Sequence, residues 1–143
     1  MTKMRSILLL LPWFLPLLAG ACLAADNLPP VADQRLAREI YKEMIDSKSG
    51  FTTGATTPIA EAMAARLKSA GFADSDIFVG GATPRKANLV VRYHGAGRRK
   101  PILLLAHIDV VEALREDWTT DPFVLLEKDG YFYGRGTMDD KAQ

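Results

Sequence analysis

Residues 101–106, Pro-Ile-Leu-Leu-Leu-Ala, narrow the folds open to this chain more than any other segment. A run that is apolar at every position cannot be a strand with one face in water, because strand side chains alternate between faces. It predicts a strand covered on both sides, as at the centre of an α/β sheet. The run is bounded by the basic turn Gly95-Ala96-Gly97-Arg98-Arg99 on one side and by His107 on the other. In open α/β sheets, sites gather at the carboxyl ends of such strands.

The surrounding sequence supplies helices and further strands. Leu36, Ile40 and Met44 recur every fourth residue, with Arg38, Glu39 and Lys42 on the opposite face, and predict a helix from about Asp33. A second helix is expected after Thr57, an N-cap type, with Pro58 at the first position and Ile59, Met63, Leu67 and Ala70 as its buried stripe. Gly71 is placed to end it. Between the helices, residues 47–56 are rich in Gly, Ser and Thr; their glycines are not spaced as in a phosphate-binding loop, and a plain connector is the expectation. Residues 76–79 read as a short strand broken by Gly80, Gly81, Thr83 and Pro84, and residues 88–94 as another. Asp129-Gly130, between residues 123–128 and 131–134, is a strong hairpin signal. The order predicts an α/β fold with helices packed on a mixed sheet. A sheet covered on both faces needs more helices than these two, so the reading is of the first part of a larger domain.

Composition removes several function classes. Among 143 residues, 18 are basic and 17 acidic, a balance that gives no electrostatic footprint for nucleic acid. A single cysteine excludes a disulfide framework and a cysteine-based structural zinc site. The apolar residues are unevenly placed. Lys3 and Arg5 precede a greasy stretch from Ile7 to Leu18, interrupted by Pro12 and Pro16, and small residues follow. This is the pattern of a secretory signal peptide, expected over residues 1–24, with a catalytic-domain portion over residues 25–143. A transmembrane anchor is the competing reading, but the charge-free run is short and carries two prolines. Cleavage after Ala24 or Ala25 gives an exported, periplasmic or secreted chain. Cleavage after Ala21 would leave Cys22 to carry a lipid anchor. Loss of Lys3 and Arg5 leaves 16 basic and 17 acidic residues in the mature chain.

Two constellations carry chemistry. His107 and Asp109 follow the most apolar strand, and residues two apart on an extended chain face the same side. A carboxylate beside an imidazole fixes its tautomer, the usual support of a metal-bound histidine; a strand-end histidine followed by a turn aspartate fits the tripeptide equally well. Gly134-Arg135-Gly136 leads to Asp139-Asp140, where two carboxylates offer hard oxygen ligands to a cation or form a solvated acidic turn. His94 lies ahead of the site and reads as structural. As a plain binding module, the same scaffold would use Gly134-Arg135-Gly136 to cradle an anion, but the third glycine of a dinucleotide site is missing.

Together the two blocks resemble the dizinc metallopeptidase family that includes acetylornithine deacetylase, succinyl-diaminopimelate desuccinylase, aminoacylase and related carboxypeptidases and dipeptidases. The first block is Leu-Leu-Leu-Ala-His-Ile-Asp-Val-Val at residues 103–111. The second is Trp-Thr-Thr-Asp-Pro-Phe at 118–123, followed by Gly-Arg-Gly-Thr-Met-Asp-Asp-Lys at 134–141. The resemblance implies a three-layer αβα sandwich with a mixed, mostly parallel sheet, truncated here at its C-terminal side. It implies two divalent ions, zinc by preference and cobalt or manganese as alternatives, with His107 on one and Asp139 bridging both. Asp109 would be the catalytic residue that holds His107, and the Asp139-Asp140 peptide would be cis. The implied reaction is hydrolysis of a small peptide or N-acyl amino acid by a metal-activated water, in a full-length protein that can pair as a homodimer. Glu112 departs from the proline usual after Asp-Val-Val, and Ala142 from a common glycine. The remaining ligands and the general base belong downstream of Asp140-Lys141, so the 143-residue chain alone is expected to be inactive. A non-catalytic α/β binding protein or a degenerate homologue is the alternative.

Overall fold

The computed structural model describes residues 28–143; the expected signal peptide lies outside the described residues. Helix α1 spans Val31–Asp46 and helix α2 spans Thr57–Ser69. Strands β1 (Ile77–Thr83) and β2 (Lys86–Val91) form one antiparallel ribbon, and β3 (Leu126–Lys128) and β4 (Tyr131–Tyr133) form another. The described residues thus make a small α/β arrangement.

Both helices lie where their periodicity places them, but each is rotated from its expected stripe. On α1 the fully buried residue is Ile45, while Leu36 remains about half exposed. On α2 the buried residues are Ile59, Ala60 and Ala64, and the two alanines let the helix settle closely on the β1–β2 ribbon beside Ala87. The N-cap position is Thr56, one residue earlier than expected; its hydroxyl donates to the Ala87 carbonyl (2.8 Å) instead of capping the helix. The Thr57 hydroxyl in turn bonds the turn that joins the strands, donating to the Pro84 carbonyl and accepting from the Ala87 amide.

Gly80 and Gly81 do not break β1, which continues to Thr83 with a bulge between Gly81 and Thr83. The room they leave is used: a Cβ on Gly81 would lie 1.8 Å from the Lys86 carbonyl oxygen, so the close crossing of the strands needs glycine there. The Asp129-Gly130 hairpin forms as expected, pairing Lys128 with Tyr131, with φ positive at both turn residues (53° and 79°) as a type I′ turn requires.

The expectation for residues 101–106 is corrected. They form no strand among the described residues, and Ile102, Leu103, Leu104 and Leu105 are 76–87% exposed. Strand geometry needs a neighbour to accept its hydrogen bonds, and no described strand runs alongside this segment. The two sheets seen are antiparallel, and the parallel element reduces to one bridge between Gly50 and Val110. His94 likewise lies past the end of β2, where its Nε2 meets Asp76 Oδ1 at 2.8 Å, a structural tie between the strand end and the turn before β1.

The glycines of the second motif pack against the helix and the His107 segment. A Cβ on Gly134 would lie 2.8 Å from Ile45 Cγ2, and one on Gly136 2.8 Å from Val110 Cγ1. Gly136 also has φ +94°, a conformation that L side chains rarely adopt. Replacement of Gly136 by alanine is expected to lower stability by about 2 kcal/mol through strain and overpacking together. Urea denaturation checks this; a loss below about 0.5 kcal/mol would mean that the turn relaxes without cost.

Candidate metal centre

The site is assembled on the loop that leaves α1. Lys141, only 4% exposed, threads beneath Gly136 and donates from Nζ to the carbonyls of Met44 (2.6 Å) and Ser47 (2.9 Å). These are end-of-helix carbonyls with no partner of their own, and α1 has no basic residue in its last turn. A cation from the far end of the chain does that work. Burial pushes the Lys141 ammonium down to about 8, and the negative charge of Asp109 acts against that shift.

The residues after Lys141's anchor point run beside the His107 segment. Ser49, fully buried, donates its hydroxyl to the Ile108 carbonyl (2.8 Å), and its own carbonyl accepts from the Val110 amide (3.3 Å). The Trp118 block buttresses the other side. Pro122 is buried and its carbonyl accepts from the Arg135 amide at 2.7 Å, while the Arg135 guanidinium lies 5.2 Å from the Trp118 ring. The two sequence motifs are therefore parts of one packed unit.

That packing brings His107 and Asp139, 32 residues apart in sequence, into contact: His107 Nε2 lies 2.9 Å from Asp139 Oδ1. The other ring nitrogen, Nδ1, lies 3.0 Å from the backbone carbonyl of Asp109, and the Asp109 carboxylate stands further away at 3.5 Å. Asp109 thus holds the imidazole chiefly through its main chain rather than through its side chain. A carbonyl only accepts, so Nδ1 carries the hydrogen. In the neutral ring, Nε2 then presents a lone pair to a carboxylate oxygen. Two lone pairs at 2.9 Å repel unless a proton or a metal cation lies between them.

The donor set fits a divalent ion in part. An imidazole nitrogen and a carboxylate oxygen converge at 2.9 Å, just inside the roughly 3–4 Å spacing of two ligands on one zinc ion. Among the described residues no group of three or more His, Cys, Asp and Glu side chains converges. The Asp139-Asp140 peptide is cis. Asp140 also approaches His107: its Oδ2 lies 3.4 Å from the His107 amide, and its buried Oδ1 has no hydrogen-bond partner among the described residues. His107 and Asp109 face an open groove of about 1440 Å³, also lined by Tyr131, Phe132 and Met138.

The loop of residues 47–56 does more than connect. Its Thr52 and Thr53 amides and the Thr53 hydroxyl hold an anion, and that anion is the carboxylate of Glu112. Sequence reasoning missed Ser49, Glu112 and Lys141. The signal for Lys141 was its place directly after the paired aspartates, and for Glu112 its departure from the usual proline; Ser49 carried none, because its role depends on a partner about sixty residues away.

Residues 103–143, the stretch that carries both motif blocks, match the model of Peptidase family M20/M25/M40. Over the segment that carries the motifs, the resemblance to the dizinc metallopeptidases is borne out. Among relatives, N-fatty-acyl-amino acid synthase/hydrolase PM20D1 of Xenopus tropicalis is 63% identical over 41 residues, 29% of this chain and 8% of that protein. Its counterpart in Homo sapiens is 60% identical over 42 residues, again 29% of this chain and 8% of that protein. Succinyl-diaminopimelate desuccinylase of Bordetella avium is 44% identical over 82 residues, 56% of this chain and 20% of that enzyme. The matched stretches thus span a small part of these relatives' own lengths.

The contacts at His107 set a pH dependence. The Asp109 carbonyl first, then the hydrogen bond to Asp139, raise the imidazole above its ordinary value; slight burial opposes them, and the charges of the two aspartates add to the rise. A raised folded value means that protonation stabilises the metal-free fold. That contribution is complete below the ordinary imidazole value and is lost as pH rises through the folded value. An NMR titration of the metal-free chain is expected to place the His107 midpoint above that of a free imidazole, and Asp139→Asn to lower it. A midpoint unmoved by Asp139→Asn would mean that the two groups do not meet in solution.

Proposed function

We propose that this chain supplies the first metal-binding half of an exported, zinc-dependent metallopeptidase or amidohydrolase that cleaves small peptides or N-acyl amino acids. One observation carries the reading: the tautomer imposed by the Asp109 carbonyl aims the Nε2 lone pair at the Asp139 carboxylate, an arrangement in which a proton or a metal ion is shared by the two groups. His107 would hold one of two divalent ions and Asp139 would reach both, with zinc favoured by the mixed imidazole and carboxylate donors. When bound, the metal pair supplies Lewis-acid polarisation and activation of water. This chain's own residues orient the imidazole (Asp109), support the acidic segment (Lys141, Gly136) and border the groove in which substrate would lie.

The relatives' names support hydrolysis at an acylated amino group, since they include an N-fatty-acyl-amino acid synthase/hydrolase and a desuccinylase. The described residues offer two converging metal donors, fewer than a hydrolytic site needs, so we infer that the 143-residue chain by itself is without activity. The exposed row Ile102–Leu105 supports the same view: we infer that it becomes a covered strand of a three-layer αβα sandwich in the whole enzyme. Export rests on the tripartite sequence of residues 1–24.

The test uses the full-length protein, assayed for release of free amino acid from a panel of N-acyl amino acids and dipeptides, with metal analysis in parallel. Activity with bound zinc is expected, and His107→Ala should abolish activity and lower zinc content. Asp109→Asn should cost about 10-fold, the low end for loss of an orienting partner, because the main-chain contact survives. Undiminished zinc in His107→Ala would overturn the metal assignment. A protein that binds no metal and cleaves nothing would favour the non-catalytic reading.

A further inference from the structure

Residues 107–112 run as an extended segment whose two sides have different tasks. The odd members His107 and Asp109 belong to the candidate metal centre. The even members tie the segment to the loop after α1: the Ile108 carbonyl accepts from Ser49, the Val110 amide donates to Ser49, and Val110 is 4% exposed against Gly136. Glu112 closes this series. Its Oε1 accepts from the amides of Thr52 and Thr53 (3.0 Å for Thr53), and its Oε2 accepts from the Thr53 hydroxyl at 2.8 Å. The loop is shaped for this contact. A Cβ on Gly50 would lie 2.6 Å from Glu112 Oε1, and one on Gly54 would lie 2.4 Å from the Gly50 nitrogen. Arg85 holds the loop from behind by donating to the Thr52 carbonyl at 3.0 Å and to the Gly54 carbonyl. The carboxylate's hydrogen bonds hold it below the usual glutamate range.

We propose that Glu112 is a positioning residue for the metal centre: by locking residues 108–112 to the 50–54 loop, it keeps His107 aimed at Asp139. The physical reason is the weakness of the alternative. His107 and its neighbours 102–106 are exposed, and no strand pairs with them among the described residues. Apart from the contacts of His107 itself with Asp139 and Asp140, the ties among the described residues that set its register lie on its C-terminal side, at Ile108, Val110 and Glu112. Of these, the Glu112 contacts alone are charge-assisted and multiple, and they prevent the extended segment from sliding along the loop. A proline in this position could make none of them.

The inference rests on the reading of His107 and Asp139 as metal donors, so its test has one readout with metal and one without. The probe is zinc chloride titrated into the purified full-length protein carrying Glu112→Gln, Glu112→Ala or Thr53→Val, followed by two-dimensional NMR well below the unfolding temperature. In the metal-free chain, Glu112→Ala is expected to shift the Thr52 and Thr53 amide signals upfield and to displace the His107 ring cross-peaks. With zinc, affinity should fall about 10-fold in Glu112→Ala, as for loss of a group that orients a ligand. Glu112→Gln, which keeps an acceptor for one amide, and Thr53→Val, which removes only the hydroxyl, should each fall between it and the unchanged chain. Thr53→Ser should restore wild-type behaviour. If Glu112→Ala does not fold, the two milder variants carry the comparison. Shifted Thr52 and Thr53 amides with His107 cross-peaks unmoved would show a loop contact without a positioning role and overturn the proposal. If the unchanged full-length protein takes up no zinc, the metal assignment fails, while displaced His107 cross-peaks in the metal-free variants still sustain the positioning role.

Discussion

The buried ammonium of Lys141 against the last carbonyls of α1 is the contact on which the rest of the arrangement depends. A helix end leaves carbonyls that must find donors, and here the last turn of the helix carries no basic residue. Supplying the donor from residue 141 draws the Gly134–Lys141 turn onto the helix exit. Once there, Gly134 meets Ile45, Gly136 meets Val110, and the segment bearing Asp139 has little freedom left. The hydroxyl of Tyr41 adds a second tie one turn earlier by donating to the Thr137 carbonyl.

The site follows from that docking together with one local choice of main chain. Asp109 offers its carbonyl to Nδ1 of the ring two residues before it, which settles the tautomer without using a side chain. A carboxylate then stands opposite the free nitrogen. Opposed lone pairs at this distance are reconciled by a shared proton or a metal ion. The same placement raises the imidazole's affinity for a proton.

Helices, the Asp129-Gly130 hairpin and the two motif blocks were legible because each rests on short-range rules: periodicity, a proline at a helix start, two residues of positive φ at a tight turn. The rotation of the helical stripes was not legible, since Ala60 and Ala64 become the buried residues only when a ribbon with Ala87 lies against them. The role of Gly80 and Gly81 was misjudged for a similar reason. Glycines that look like breakers in one dimension allow two strands to cross closely in three.

By itself, the sequence determined which residues could do chemistry and which segments would be helical: His107, Asp109 and Asp139 are the right donor types, and their motif neighbours are recognisable residue by residue. It could also say that residues 102–105 are apolar on every side, but not that they would stand uncovered, because burial is a property of neighbours. Only the tertiary structure decided that a loop of threonines would hold Glu112, that a lysine would finish a helix ninety-odd residues before it, and that an imidazole and a carboxylate 32 residues apart would meet at 2.9 Å. These are contacts between distant segments, and hydrogen bonds and steric fits of that kind exist only once packing has brought both partners to one place.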